Sequence, residues 1–113
     1  MDEVSPSIYS MKVTSRRTRA AVLILGESIR AGRLRRGWSV AALAERVGVS
    51  APTITKIERG DPSVAIGTAF EAARIVGVEL FGGQEDLAGH VVRNELALLP
   101  QRGRMRRKAS NDF

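Results

Sequence analysis

Residues 39–60 read SVAALAERVGVSAPTITKIERG and contain two short apolar patterns separated by a glycine. In the first pattern Leu43 and Val47 stand four residues apart, and in the second Ile54 and Ile57 stand three apart. Each spacing places its two side chains on one face of a helix. The segment therefore predicts two short helices whose apolar faces are part of a core.

The residues between and before these patterns fit two helices that cross closely at a tight turn. Ala44 is small enough for a close crossing, and Gly48 can adopt the left-handed backbone that the turn needs. Ser39 and Ser50 stand where a hydroxyl caps a helix, and Pro52 falls in a first turn, where its missing N–H costs little. Together these features predict a helix-turn-helix, a unit whose second helix fits the major groove of DNA.

Three further helices are predicted around this unit. The first begins at Thr18 and ends at Gly37, and its inward face is expected to contain Ala21, Leu25 and Ile29. The fourth follows the turn at Asp61 and Pro62, with Ile66, Ala69, Phe70, Ala73 and Val76 pointing inward. The fifth lies within residues 85–99 and contains Leu87, Val91, Leu96 and Leu98 or Leu99. We thus expect an all-α fold, with the helix-turn-helix domain at residues 18–82 and an additional helix at 83–99 that contacts a second copy or a partner.

Composition restricts the class of protein. The 113 residues have room for one domain, and 43% of them are hydrophobic but only 4% aromatic, as in a small helical bundle. With no cysteine and a single histidine, His90, the chain is expected to hold no metal and no cofactor. The longest apolar run, residues 20–25, is six residues long, whereas a membrane span needs about 20. We expect a soluble, cytoplasmic protein.

The net charge of +6 is unevenly distributed along the chain. Residues 30–59 contain seven basic and two acidic side chains, whereas residues 60–99 contain two and six. This asymmetry suits a domain with one face on phosphates, although a charged run by itself is more often a solvated surface. Residues 1–17 are interpreted as a flexible basic arm with a possible short strand at 8–13, and residues 100–113 as a disordered basic tail.

The segments LGESIR at residues 25–30 and GWSVAALAERVGVSAPTITKIERG at residues 37–60 resemble the Xre-type, phage-repressor-like helix-turn-helix domain. The resemblance covers roughly residues 20–80. It implies a five-helix fold and binding to double-stranded DNA. One departure is Val40, because many members of the family have a glutamine there that contacts a phosphate.

The resemblance implies roles for individual residues. Ser50 would present the N-terminus of the recognition helix to a phosphate, and Thr53 and Arg59 would also contact the DNA backbone. Base edges would be read by Ala51, Pro52, Thr55 and Lys56. Ser39 and Arg36 complete the expected DNA-binding set, and Glu58 would form a structural ion pair with Arg33. Lys56 is the long side chain best placed for a guanine, so specificity would also use thymine methyl groups, water and DNA shape.

Two segments outside the helix-turn-helix carry a finer resemblance. Residues 60–68, GDPSVAIGT, and residues 99–108, LPQRGRMRRK, followed by the terminal NDF, are similar to HipB-like antitoxins, which are encoded beside HipA-like serine/threonine kinases. The resemblance implies a homodimer on a palindromic operator, autorepression of the operon and a complex with the kinase. The partner-binding residues would lie in the tail, at Arg104, Arg106, Arg107, Lys108 and Phe113.

Several alternatives stand beside this interpretation. A free-standing repressor of the phage or metabolic type would have the same domain without a toxin partner. An enzyme or an RNA-binding module is disfavoured, because no nucleophile with a base, glycine-rich phosphate loop or aromatic platform is found. Trp38 is interpreted as a packing residue and His90 as a surface or interface side chain. Arg16, Arg17 and Arg19 either follow a DNA groove or belong to a solvated arm.

Overall fold

The computed structural model describes residues 15–101, which form five α-helices and no strand. The helices are α1 (Arg16–Arg35), α2 (Val40–Val47), α3 (Ala51–Glu58), α4 (Ile66–Ile75) and α5 (Glu85–Leu98). The expected all-α helix-turn-helix fold is confirmed. The possible strand at residues 8–13 and the tail residues from 102 onward lie outside the described residues.

The first compact unit contains α1 to α4 and ends at Leu80. Its first helix begins at Arg16, two residues before the expected start at Thr18, because Ser15 provides the cap. The Ser15 Oγ accepts a hydrogen bond of 3.1 Å from the backbone N–H of Thr18. Arg16 and Arg17, expected in the N-terminal arm, therefore belong to the first turn of α1.

All four helices of this unit contribute to one aliphatic core. The buried hydrophobic residues are Ile29 from α1, Leu43 and Ala44 from α2, Ile54 and Ile57 from α3, and Ala72, Ala73 and the adjoining Val76 from α4. The expected core positions of the helix-turn-helix are all in or against this cluster, although Val47 is only partly buried. Burying such side chains is the main favourable contribution to the stability of a small helical domain.

Two expected core positions are exposed instead. Ile66 is 70% exposed, because it is the first residue of α4 and lies where an apolar groove opens between α1 and the start of α4. Ala21 is exposed because the buried residues of α1 run only from Gly26 to Arg33, so the first half of the helix extends beyond the core. Helical periodicity predicted the correct inward faces of α1 and α4, but it did not predict at which residue along each helix the burial stops.

Two glycines allow α1 to pack closely against its neighbours. A Cβ atom at Gly26 would overlap the carbonyl oxygen of Ile57, the next-to-last residue of α3. A Cβ atom at Gly32 would lie 2.7 Å from the carbonyl oxygen of Val76, just after α4. Both glycines are buried, so the close contacts place the ends of α3 and α4 directly on the backbone of α1.

The second unit begins at Phe81 and contains a short 3-10 turn, Phe81–Gly83, followed by α5. Glu85 and Asp86 lie in the first turn of α5, where negative charge is favourable to the helix dipole. No residue of α5 is buried. None of the helices between residues 15 and 101 is long and apolar enough to cross a membrane.

Candidate nucleic-acid interface

The turn between α2 and α3 is built on Gly48. This residue ends α2 in the left-handed conformation, with a φ angle of 88°, which a glycine adopts without steric cost. The Ala44 carbonyl accepts hydrogen bonds from the N–H groups of Gly48 at 2.8 Å and Val49 at 3.0 Å. The chain then enters α3 at Ala51, three residues after Gly48, so a short local segment fixes how the two helices are joined.

Serine hydroxyls cap the N-termini of both helices. The Ser39 Oγ accepts from the Ala42 N–H at 3.0 Å, and the Ser50 Oγ accepts from the Thr53 N–H at 3.3 Å. The Thr53 hydroxyl also lies 2.9 Å from the Ser50 hydroxyl. Neither helix has an acidic residue in its first turn, so no carboxylate there offsets the positive end of the helix dipole. Both ends are suited to an anionic group such as a phosphate.

The outer face of α3 is defined here as Pro52, Thr55, Lys56 and Arg59, which share the side of the helix opposite Ile54 and Ile57. Its residues are exposed except for Thr55, which is partly buried. Ala51 and Thr53 flank this face and are also partly buried. The six residues of α3 and its C-cap that were expected to contact DNA therefore lie on or beside one accessible surface.

Two cations make this face basic. Within residues 15–101 neither Lys56 nor Arg59 forms a salt bridge. The nearby Asp61 accepts hydrogen bonds from the side chain and backbone of Ser63, at 2.7 and 2.8 Å. These hydrogen bonds, with a smaller contribution from the Lys56 charge, hold the pKa of Asp61 below its ordinary value. Lys56 and Arg59 are thus available to an external anion or base edge.

An ion pair attaches the end of α3 to α1. Arg33 donates from Nε to Oε2 of Glu58 at 2.7 Å and from Nη2 to Oε1 at 2.9 Å, and its Nη1 donates to the Trp38 carbonyl at 2.9 Å. The two side chains are only 9% and 7% exposed. The hydrogen bonds to Glu58 raise the pKa of Arg33 despite the opposing effect of burial. The pair is structural, because its charges satisfy each other.

Arg36, which was also expected to contact DNA, has a partner within its own domain. Its Nη1 donates to the carbonyl of Val76 at 2.5 Å, just beyond the C-terminus of α4. A helix C-terminus has unsatisfied carbonyls and favours a cation, so this contact is a stable alternative to a phosphate. Arg36 is nevertheless exposed, so its contact with DNA stays a prediction.

Trp38 lies in the connection between α1 and α2, partly buried against the core. The guanidinium carbon of Arg46 lies 4.0 Å from the centre of its ring, and that of Arg36 lies 5.7 Å away. Both are cation–π distances. Sequence reasoning identified Trp38 as a packing residue but missed Arg46, because eight residues separate the two and no local pattern connects them. Gly26 was also missed, although a glycine inside a helical pattern is a recognisable signal of close packing.

Two short helices joined by a turn at a left-handed Gly48, the second with a basic outer face, form a helix-turn-helix domain. Residues 29–82, slightly less than half of the chain, match the family described as Helix-turn-helix. The domain is thus similar to that family, and the match indicates a DNA-binding transcription regulator. No curated protein and no solved structure matches the chain. Within residues 15–101 no cluster of side chains could hold a metal ion.

Proposed function

We propose that the protein is a sequence-specific transcriptional repressor that inserts α3 into the major groove of DNA. The observation that carries this proposal is the outer face of α3, where Lys56 and Arg59 are exposed on a helix whose N-terminus is capped by Ser50. Ala51, Pro52, Thr55 and Lys56 would face base edges, with Lys56 reading a guanine. Ser39, Ser50, Thr53 and Arg59 would hold the phosphate backbone. Arg36 stays in the proposed set, because it is exposed and donates to Val76 through Nη1 alone.

The repressor would act as a homodimer on a palindromic operator. A single eight-residue recognition helix contacts only a few base pairs, and dimers of this class bind two half-sites about 34 Å apart, or one helical turn. A footprint of the purified protein on the DNA upstream of its own gene tests this proposal. We expect protection of a dyad with that spacing. Absence of any protected dyad, at salt concentrations that still permit binding to random DNA, would contradict it.

We further propose that the repressor is the antitoxin of a HipA-like serine/threonine kinase and represses its own operon. The support is the similarity of residues 60–68 and 99–108, with the terminal NDF, to HipB-like antitoxins. In the tail, Arg104, Arg106, Arg107, Lys108 and Phe113 would contact the kinase.

An affinity pull-down from the native cell tests the antitoxin role. The tagged full-length protein is compared with a version truncated after Pro100, and captured proteins are identified by mass spectrometry. We expect a HipA-like kinase with the full-length protein and its loss on truncation. Recovery of the kinase by both versions would move the contact from the tail to the folded domain. Recovery by neither would leave the free-standing repressor as the function.

A further inference from the structure

Two arginine side chains meet at the ring of Trp38. The guanidinium carbons of Arg36 and Arg46 both lie within 5.7 Å of the ring centre. Neither arginine forms a salt bridge in the part of the chain that the structure describes, residues 15–101. Two positive charges are thus held at one ring without a carboxylate between them. An external anion at this place would offset their repulsion.

The ring belongs to a residue that the domain holds firmly. The Trp38 N–H donates to the carbonyl of Arg33 at 3.1 Å, and the Trp38 carbonyl accepts from Nη1 of the same arginine at 2.9 Å. The side chain is partly buried against the core. Because both backbone groups and the side chain have partners within the domain, Trp38 offers a fixed aromatic surface to a guanidinium.

The guanidinium of Arg46 is not at the end of α2 where a cation is ordinarily found. Arg46 lies in the last turn of α2, and a cation there usually stabilises the C-terminal carbonyls. Its side chain instead runs back toward the N-terminus and stacks on Trp38, two residues before α2 begins. Its Nη1 donates one long hydrogen bond, 3.4 Å, to the Ala42 carbonyl. The helix dipole therefore does not explain this orientation.

Arg46 and the cap of α2 share one face of the helix. Ser39, which is proposed to hold a phosphate, precedes Arg46 by seven residues, or nearly two full turns. Both side chains are exposed. A guanidinium presents its N–H groups as a planar fork that matches the oxygens of a phosphate. Arg46 and Ser39 therefore face the same stretch of a DNA backbone.

We propose that Arg46, oriented by the ring of Trp38, binds a phosphate of the DNA backbone beside Ser39. Arg46 is the binding residue and Trp38 a positioning residue, and neither belongs to the DNA-binding set expected from the sequence. The inference rests on the proposed function and deepens it, because it adds a contact that fixes α2 on the duplex. A guanidinium that is already stacked loses less side-chain entropy when it binds.

The salt dependence of DNA binding tests the contact. Each phosphate contact contributes about 0.9 to the slope of log affinity against log salt concentration. We expect Arg46→Gln to reduce this slope by about that amount and to weaken binding to operator and random duplexes by the same factor. Arg30→Gln, which removes an exposed charge from α1, should leave the slope unchanged. An unchanged slope in an Arg46→Gln protein that circular dichroism shows to be folded would overturn the proposal.

Two further measurements remain informative if Arg46→Gln does not fold. Arg46→Lys keeps the charge but loses the planar stacking group, so it should retain the slope and bind both duplexes more weakly. Trp38 is the single tryptophan of the chain, so its fluorescence reports on this ring. We expect its emission to change when a random duplex binds. Full affinity of Arg46→Lys, or unchanged emission from DNA-bound protein, would contradict the role of Trp38.

The outcomes separate this inference from the proposed function. A protein whose salt slope depends on Arg46 but that protects no operator would retain the phosphate contact and lose the role of a repressor. Operator protection with a slope that does not depend on Arg46 would keep the repressor and overturn the contact. Absence of binding to any duplex would overturn both.

Discussion

The guanidinium of Arg33 and the carboxylate of Glu58 form a bidentate ion pair, which joins the last turn of α1 to the last residue of α3. Two hydrogen bonds of 2.7 and 2.9 Å connect them, and the remaining terminal nitrogen of Arg33 is taken by the Trp38 carbonyl. Each of the three guanidinium nitrogens therefore donates a hydrogen bond within the domain. The orientation of α3 on α1 depends on this contact and on the close packing at Gly26.

Glu58→Gln should destabilise the domain by about 3 kcal/mol, because it leaves a buried guanidinium without a countercharge. The measurement is urea denaturation followed by circular dichroism. Glu71→Gln provides the control, since Glu71 forms a salt bridge of the same length, 2.7 Å, with Arg74, but on the surface. The control should change stability little. Equal losses of unfolding free energy from the two substitutions would show that the Arg33–Glu58 pair does not hold α3 against α1.

Gly26→Ala should lower the free energy of unfolding by about 1–3 kcal/mol, because the added methyl group would overlap a backbone oxygen that cannot move aside. Gly67→Ala is the matched control in α4, where a Cβ atom has nothing within 4 Å. That substitution should instead stabilise by about 0.5–1 kcal/mol, since alanine loses less backbone entropy in a helix. A stabilising Gly26→Ala would mean that α1 and α3 are farther apart than described.

Much of the fold could be predicted because its helices are marked locally. Ser39 and Ser50 begin α2 and α3, and Gly37 and Gly48 follow the residues where α1 and α2 end. The burial of Ile66 could not be predicted, because a periodic face does not reveal how far the neighbouring helices extend beside it. Its exposure, 70%, reflects an open groove rather than a wrong helical face.

The candidate interface was predictable to the extent that it depends on one continuous segment. Pro52, Thr55, Lys56 and Arg59 share an accessible side because they recur at spacings of three and four positions along a single helix. The hydrogen bond from Arg36 to Val76 could not be predicted, because the two residues are 40 positions apart and no local pattern connects them. A contact between residues so far apart in the sequence depends on tertiary packing, which a local sequence pattern does not reveal.

Asp61 should make stability depend on pH in the acidic range. Its pKa in the folded protein is lowered, chiefly by the Ser63 hydroxyl, so its contribution is present above its ordinary pKa of 3.8 and is lost as pH falls through the lower folded value. Asp61→Ala should therefore be less stable than the unchanged protein at neutral pH, with a difference that disappears in acid. Thermal unfolding across this pH range measures the difference. Ser63→Ala removes one hydrogen-bond donor to the Asp61 carboxylate and should reduce the pH-dependent part of the stability. A stability difference between Asp61→Ala and the unchanged protein that persists in acid would exclude the carboxylate as its source.

Lys56→Ala should weaken binding to the preferred operator by about 1–3 kcal/mol, because a lysine that reads a guanine contributes mainly on its specific site. Fluorescence anisotropy with operator and random duplexes at fixed salt separates sequence-specific binding from non-specific binding. Arg30→Ala is the control, since it removes one exposed charge from α1, outside the helix-turn-helix pair. If Lys56→Ala reduces affinity for both duplexes equally, Lys56 contacts a phosphate and specificity at this face must come from Thr55 and DNA shape. If only the operator is affected, the outer face of α3 is in the major groove with Lys56 at a base edge.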